Sequence, residues 1–444
     1  MAETHTSSQI VHHTAELRGW RATLRSLRHR NFQLFFSGQF ISLVGTWMQN
    51  IAQDWLVYRL TGSAVLLGVV GFVSQIPIFL LGPLGGIVAD RFNRQRIVIA
   101  TQASSMVLAL ILAVLTLTGW IRVWEIMVIA SLLGVVNAFD IPARQSFLIE
   151  MVGREDLLNA IGLNSSMFNG ARVVGPAIAG ILVATIGEGW CFFANGISYI
   201  AVIAGLLMMR ITHKVELEHR GSALENIVEG FRFARQTVPV RSLLLLIGLI
   251  SLGATPYTVL MPIFAGRILH GDARTLGILM GSTGVGALLG ALTIASKKTV
   301  QGLGRFLWIA SILLGTNLIL FSISRHMWLS VAPLALVGFA VMTAAGSTNT
   351  LLQAMSPDRL RGRVMSLYSM MFVGMTPIGA LLAGLVAAKL GAPWTVAIGG
   401  IACLLGGSLF ARHLPAIRGE ARRLMRAQGM MPPEQGNPVS LPHG

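Results

Sequence analysis

Twelve times along its 444 residues the chain runs apolar for about the length of a membrane span. Crossing a hydrocarbon core takes roughly 20 consecutive apolar residues in a helix. The runs cover approximately residues 32–58, 64–89, 97–118, 123–143, 158–186, 190–209, 241–266, 275–296, 304–323, 327–353, 363–389 and 393–412. Composition agrees: 54% of residues are hydrophobic and 12% charged, about half the charge of an ordinary soluble domain. The expectation is an all-α, polytopic membrane protein.

The formal charge of +16 would point to nucleic acid in a soluble protein. Here it follows the positive-inside rule. With the N-terminus placed in the cytoplasm, 27 of the 34 Lys and Arg fall on the cytoplasmic side and 6 on the other, with Arg172 inside a run. That places both termini inside and removes the need for a nucleic-acid partner. The cysteines, Cys191 and Cys403, both lie within apolar runs, so neither a disulfide framework nor a metal-ligand spacing is expected. The first 30 residues are polar and basic without the apolar core of a signal peptide. Leu17, Trp20, Leu24 and Leu27 share one face among arginines, which suggests an interfacial helix.

The longest connection, 210–240, contains SALENIVEGFRFARQ. Ser222 and Glu225 have capping-box spacing, and Leu224, Ile227, Val228 and Phe231 form an apolar face, so a short surface helix ending before Pro239 is expected. The organisation follows: a tail at 1–31, a first six-helix bundle at 32–209, the linker at 210–240, a second bundle at 241–412 and a disordered tail at 413–444. The bundles look duplicated. Met151, Met167, Phe168, Gly180, Gly187, Trp190 and Gly196 recur 204 positions later as Met355, Met371, Phe372, Gly384, Gly391, Trp394 and Gly400. Parallel repeats of six helices are a transporter architecture.

The second run ends in GPLGGIVADRFNRQRIV, residues 82–98. Asp90 opposes the helix dipole at a C-terminus and needs partners, which Arg91, Arg94 and Arg96 can supply. Asn93 sits where a tight turn is expected, and Asn tolerates the left-handed region. The segment GGIVADRFNRQR resembles the loop signature of the major facilitator superfamily, with Gly86, Asp90, Arg91 and Arg94 on its positions and Asn93 replacing its second glycine. The resemblance implies that Asp90 latches the cytoplasmic side against the start of the eleventh helix, with Arg361 and Arg363 nearby. The counterpart in the second half, ALTIASKKTVQGLGR, lacks the acid, so the latch is expected to be one-sided. The run GLNSSMFNGARVVGPAIAG is similar to the superfamily's exporter signature at Gly162, Gly175, Pro176 and Gly180, with Ala171 and Ala179 where it has glycine. HRNFQLFFSGQFISLVGTWMQNIAQDWLVYRLTGS and FDIPARQSF resemble the bacterial branch that includes the enterobactin exporter. Over roughly residues 25–410 the resemblance implies twelve helices in two pseudo-symmetric bundles, a monomer, and helices 1, 4, 7 and 10 around a central cavity.

Other site residues are read without the resemblance. Gln39, Ser42, Thr46, Gln49 and Gln53 are spaced 3, 4, 3 and 4, one helical face, with Asn50 and Asp54 one residue round. Such a stripe is costly against lipid and should line a water-filled cavity. The alternative is bonding to neighbouring helices, at ~0.6 kcal/mol each. Arg172 and Asp54 are charges within apolar runs, each costing roughly 2.5–3.5 kcal/mol. Arg172 is either an anchor for an anionic substrate group or half of an ion pair. Asp54 either exchanges protons or snorkels. Asp140 and Arg144, four apart, read as a gate or packing pair. Thr255, Thr258, Asn349 and Gln353 are polar enough to face a cavity, as is Gln75 beside Pro77. Gly277, Gly281, Gly286 and Gly290 read as helix packing.

No GxxxxGK[ST], HExxH or GxSxG is present, so ATP hydrolysis and these hydrolytic chemistries are not expected. No cofactor and no metal is expected. The function expected is secondary transport, as a proton-coupled antiporter exporting a small organic molecule across the lipid bilayer. Proton-coupled uptake on the same fold stays open, as does a non-transporting receptor or lipid-handling enzyme.

Overall fold

The computed structural model describes residues 24–210, 223–297 and 299–428, and the regular structure within them is entirely helical. The interfacial face at Leu17 and Trp20, Ser222 of the capping box, and the tail beyond 428 lie outside these residues. Leu24 precedes a 3-10 turn at Arg25–Arg28. The helices are α1 (Arg30–Thr61), α2 (Ala64–Arg91), α3 (Arg94–Leu117), α4 (Val123–Ile186), α5 (Glu188–Leu207), α6 (Ala223–Gln236), α7 (Val238–Val259), α8 (Ala273–Ala295), α9 (Leu303–Ile323), α10 (Met327–Met355), α11 (Asp358–Phe372), α12 (Met375–Leu390) and α13 (Ala392–Ala427).

Ten helical stretches are long and apolar enough to cross a membrane. Two features separate this count from the twelve runs. α4 carries two runs in one element, interrupted at Gly153, whose φ of 73° breaks the helical path. α1 is outside the ten, because the amides and hydroxyls of its stripe dilute its apolar residues. The run at 363–389 also differs: it breaks at Val373 and Gly374 between α11 and α12. α13 continues to Ala427 rather than giving way to a tail at 413.

Helix ends follow local chemistry. Gly62 takes the left-handed conformation after α1. Ser63 caps α2 by accepting from Leu66 N–H, and Asp272 caps α8 by accepting from Arg274 and Thr275 N–H. Asn93 corrects the expected left-handed turn: with φ −64° it is extended, and its side chain caps α3 by accepting from Arg96 N–H at 3.0 Å.

Helices before residue 208 pack chiefly on one another, as do those after 237. The strongest packing between these sets joins α2 to α12 and α4 to α8. In lipid, such seams depend on close approach of small residues. A Cβ on Gly384 would stand 2.7 Å from Ala64 O and 3.0 Å from Gly68 Cα; one on Gly180 would stand 3.0 Å from both Ala273 O and Gly277 Cα. The two seams are therefore copies of each other, and Gly180 and Gly384 are the pair that the repeat relates. The relation recurs elsewhere. Gly134 meets Ser74 O as Gly338 meets Thr283 O, and Gly187 and Gly391 share φ values of 89° and 84°.

Both seams close at one end only. Along α2 and α12 the contact runs from Ala64 and Gly384 to Phe79 and Gly374. Beyond it Gly82, Gly86 and, on α11, Gly362 meet nothing within 4 Å, and neither does Gly162 on α4. Because the start of α2 meets the end of α12, the end of α2 and the start of α11 share the opposite, open end. That end carries Asp90, the arginines that follow it, and Arg359, Arg361 and Arg363. It is called the basic end below.

Candidate functional site

A cavity of about 390 Å³ lies between the sets, behind the closed seam. The stripe on α1 faces it: Gln39, Ser42, Thr46, Gln49, Asn50, Gln53 and Asp54 all line it. The stripe also bonds to its neighbours, so both readings of it hold. Asn195 on α5 donates to Gln49 at 2.8 Å, and Thr46 donates to Ser42 O at 2.9 Å and lies 3.5 Å from the Tyr199 hydroxyl. Gln75 of α2 and Thr255 and Thr258 of α7 line the same space. α10 contributes no lining residue, which corrects the expected set of four lining helices. Asn349 lies outside the lining and accepts from Gln353 within α10 at 2.6 Å.

The two intramembrane charges open onto this cavity. Arg172 is half-buried, its guanidinium 5.6 Å from the Trp47 ring centroid, and Trp47 packs edge-on against Phe168 at 5.7 Å. A π face stabilises a cation without neutralising it, and no carboxylate reaches Arg172 among the described residues. Asp54 is likewise without a hydrogen bond or ion pair among them. Asp140, by contrast, is buried and fully engaged. It accepts from Thr101 at 2.8 Å and Gln102 at 2.9 Å, and Arg144 approaches to 3.3 Å.

Among the described residues, Asp90 makes no ion pair across the seam in this conformation. The Asp90 carboxylate is half-exposed and lies 4.0 Å from Arg94. Arg94 is buried, donates to Ala89 O at 3.1 Å and pairs closely with Glu150. Arg91 is exposed. On the other side Arg361 pairs with Asp358 at 2.6 Å, while Glu229 of α6 takes Arg359 at 3.1 Å and Arg363 in a close contact.

The exporter-like residues of α4 divide by position. Gly175 lets α4 ride against α1, where a Cβ would meet Trp47 Cβ at 2.4 Å. The carbonyl of Pro176 and Gly180 form the seam with α8, and Gly162 stands at the open end. Two repeated small-residue seams flank a polar chamber, and the chain-wide comparison decides the family. The transmembrane secretion effector family matches residues 21–439.

The chain belongs to this family of the major facilitator superfamily.

Its relatives are membrane transporters rather than enzymes. It is 29% identical over 373 residues to the staphyloferrin A transporter of Staphylococcus aureus (83% of this chain, 93% of that one). It is 28% identical over 393 residues to the multidrug efflux pump Tap of Mycolicibacterium fortuitum (84% and 93%). The enterobactin exporter EntS of Shigella boydii is 25% identical over 401 residues (90% and 95%). Among solved structures, the nucleoside transporter NupG superposes with a TM-score of 0.68 at 12% identity, covering 88% of this chain and 99% of that one. An inward-facing bacterial homologue of ferroportin gives 0.64 at 16% identity (86% and 98%). The chain is thus a multi-pass secondary transporter.

Within this family member, several residues of the site were not singled out in the sequence. Gln102 and Asn195 carry the same signal as the α1 stripe, an amide in an apolar run, but each stands alone. Trp47 is one aromatic among many and gains meaning only from Arg172 above it. Arg59 and Glu188, bonded at 2.7 and 3.2 Å, fasten α1 to α5 at the closed end. Asp156 gathers Arg25, Arg28 at 2.8 Å and His29 at 2.7 Å at the basic end. These partners are distant in sequence, and no local spacing betrays them.

Proposed function

We propose that this transporter exports a small organic molecule by proton-coupled alternating access. The observation that carries the reading is one polar cavity, closed at one end by the glycine seams, that holds Asp54, which has no ion pair among the described residues, and Arg172, which is met by the Trp47 ring and the Tyr257 hydroxyl but by no carboxylate among them. Arg172 over Trp47 anchors an anionic or hydroxyl-rich part of the substrate. Asp54, lining the same cavity, is the group that takes and releases the proton. The family's efflux members support the direction of transport.

In this reading twelve spans form two six-helix bundles, residues 32–209 and 241–412, with α4 supplying two spans and α1 the polar one. The basic end is cytoplasmic, as the distribution of Lys and Arg favours, and both termini lie there in a bacterial cell membrane. The protein works as a monomer. Export requires the basic end to close and the glycine seams to part. Closure exchanges partners: Arg361 and Arg363 leave Asp358 and Glu229 and approach Asp90, while Asp140 and Arg144 stay paired as packing.

Everted vesicles carrying the protein test this. A pulse of substrate from a panel of amphiphilic drugs and iron chelators is expected to release protons from the lumen. Asp54→Asn should abolish proton movement, and Arg172→Ala should weaken substrate response while leaving the fold intact. Transport that persists unchanged in Asp54→Asn would overturn the assignment of the proton carrier. Accumulation driven in the opposite direction would overturn export.

A further inference from the structure

A second site lies outside the transport cavity, where the linker helix α6 meets the start of α7. A hollow of about 490 Å³ there is lined by Phe231, Arg232, Arg235, Gln236 and Arg241. Three guanidinium groups thus converge on one space. All three side chains are exposed, and none makes an ion pair or a side-chain hydrogen bond among the described residues. The nearby acid, Glu229, is committed to Arg359 and Arg363. Like charges gathered in one hollow repel, and a basic loop needs no such convergence to set topology. Phe231 stands 59% exposed among them. The hollow opens where the apolar stretch Val238–Ile268 begins, with Val238 40% exposed beside it. An aromatic ring flanked by arginines at the start of a span is the chemistry of the headgroup layer.

We propose that this hollow binds the phosphate of an anionic phospholipid from the surrounding leaflet. Arg232, Arg235 and Arg241 hold the phosphodiester, with Phe231 at the boundary between headgroups and acyl chains. Arg is suited to this, since its planar fork pairs with phosphate oxygens two at a time. The proposal rests on the membrane placement of α7 and not on the direction or coupling of transport. Because Glu229 ties α6 to α11, the bound lipid steadies the helix that holds the gate arginines.

The test uses the full-length protein reconstituted in nanodiscs of phosphatidylglycerol and phosphatidylcholine, then extracted gently and examined by native mass spectrometry. The parent is expected to retain phosphatidylglycerol. The triple variant Arg232→Gln/Arg235→Gln/Arg241→Gln should lose the lipid, and each of the three single substitutions should lower retention about five-fold. A control carrying Arg305→Gln, Arg412→Gln and Arg423→Gln removes equal charge from the same end and should retain the lipid. The single variants keep the test valid where the triple one fails to fold. Equal loss in the control, or equal retention of phosphatidylcholine by the parent, would overturn the site. A second arm adds excess inorganic phosphate. Retention that survives it supports a lipid, whereas complete displacement assigns the hollow to a free anion and overturns the lipid source.

Discussion

The two ends of the inter-set seams are held by different physics. At the closed end, glycine meets backbone: Gly68 against Ala380 O, Gly384 against Ala64 O, Gly180 against Gly277. No ion pair is needed there, and the attraction is dispersion, which falls away within about an ångström of separation. At the basic end the groups are charged, and each set neutralises its own. Arg94 has Glu150, Asp140 has Arg144, Arg361 has Asp358 and Glu229 has two arginines. Charges that can be hydrated separate at little cost, since an exposed ion pair is worth about 0–1 kcal/mol. A small-residue seam is closed or it is not, while a charged end can stand open with its partners exchanged inside each half.

The largest effect is therefore expected at the glycine seam. Gly384→Leu places a branched side chain where even a Cβ stands 2.7 Å from a backbone oxygen, and rigid backbone cannot yield as a side chain would. Overpacking of this kind costs about 1–3 kcal/mol or more, enough to shift the conformational balance by an order of magnitude or beyond. Transport should fall at least about ten-fold. Thiol labelling of Thr258→Cys, a cavity residue, should rise from the side opposite the basic end. Unchanged transport and labelling would mean that the seam does not part during the cycle.

Much of the fold was legible because its cause is local. Apolar run length placed most of the helices, and the offset of 204 between Gly180 and Gly384 pointed to a duplication, though not to the seams that the two glycines form. The α1 stripe was legible because four intervals of 3 and 4 leave one helical face. What stayed hidden depends on contacts between distant segments. Glu150 looks like any loop acid until α3 and α4 bring it to Arg94. Asn93 looked like a turn residue, yet the hydrogen-bond needs of the α3 N-terminus made it a cap. Asn349 had the right chemistry for a cavity, but it is bonded to Gln353, one turn on along the same helix. The break at Gly374 serves the ring of Phe79, a neighbour that no pattern within α11 and α12 reveals.

The charged end offers graded tests. Arg94→Ala strands Glu150, itself largely buried, and removes the bond to Ala89 O. Breaking a buried pair costs about 3–5 kcal/mol, so expression and thermal stability in detergent should drop sharply. Asp156→Asn should cost less, about 1–3 kcal/mol. Its carboxylate is buried, but Arg25 and Arg28 are well exposed and regain hydration when released. Limited proteolysis should then cut earlier between residues 25 and 30, with the helical core still intact. A stability loss in Asp156→Asn that exceeds that of Arg94→Ala would reverse the ranking drawn from burial.

Asp90→Asn should have the smallest effect on stability and still be informative. Its carboxylate is half-exposed and reaches Arg94 only at 4.0 Å, so removing the charge should shift thermal stability by no more than about 0.5 kcal/mol. In the open conformation Asp90 does almost nothing. If it latches the basic end when that end closes, its contribution exists only in the other state, and the substitution should slow transport while sparing the fold. A cysteine at Gln39, the stripe residue nearest the open end, would report this directly. Its labelling from the basic end should rise in the presence of Asp90→Asn, because the closed state has lost its partner for Arg361 and Arg363. A variant that transports normally would mean that packing alone closes the basic end as well, and that the two ends differ less than their residues suggest.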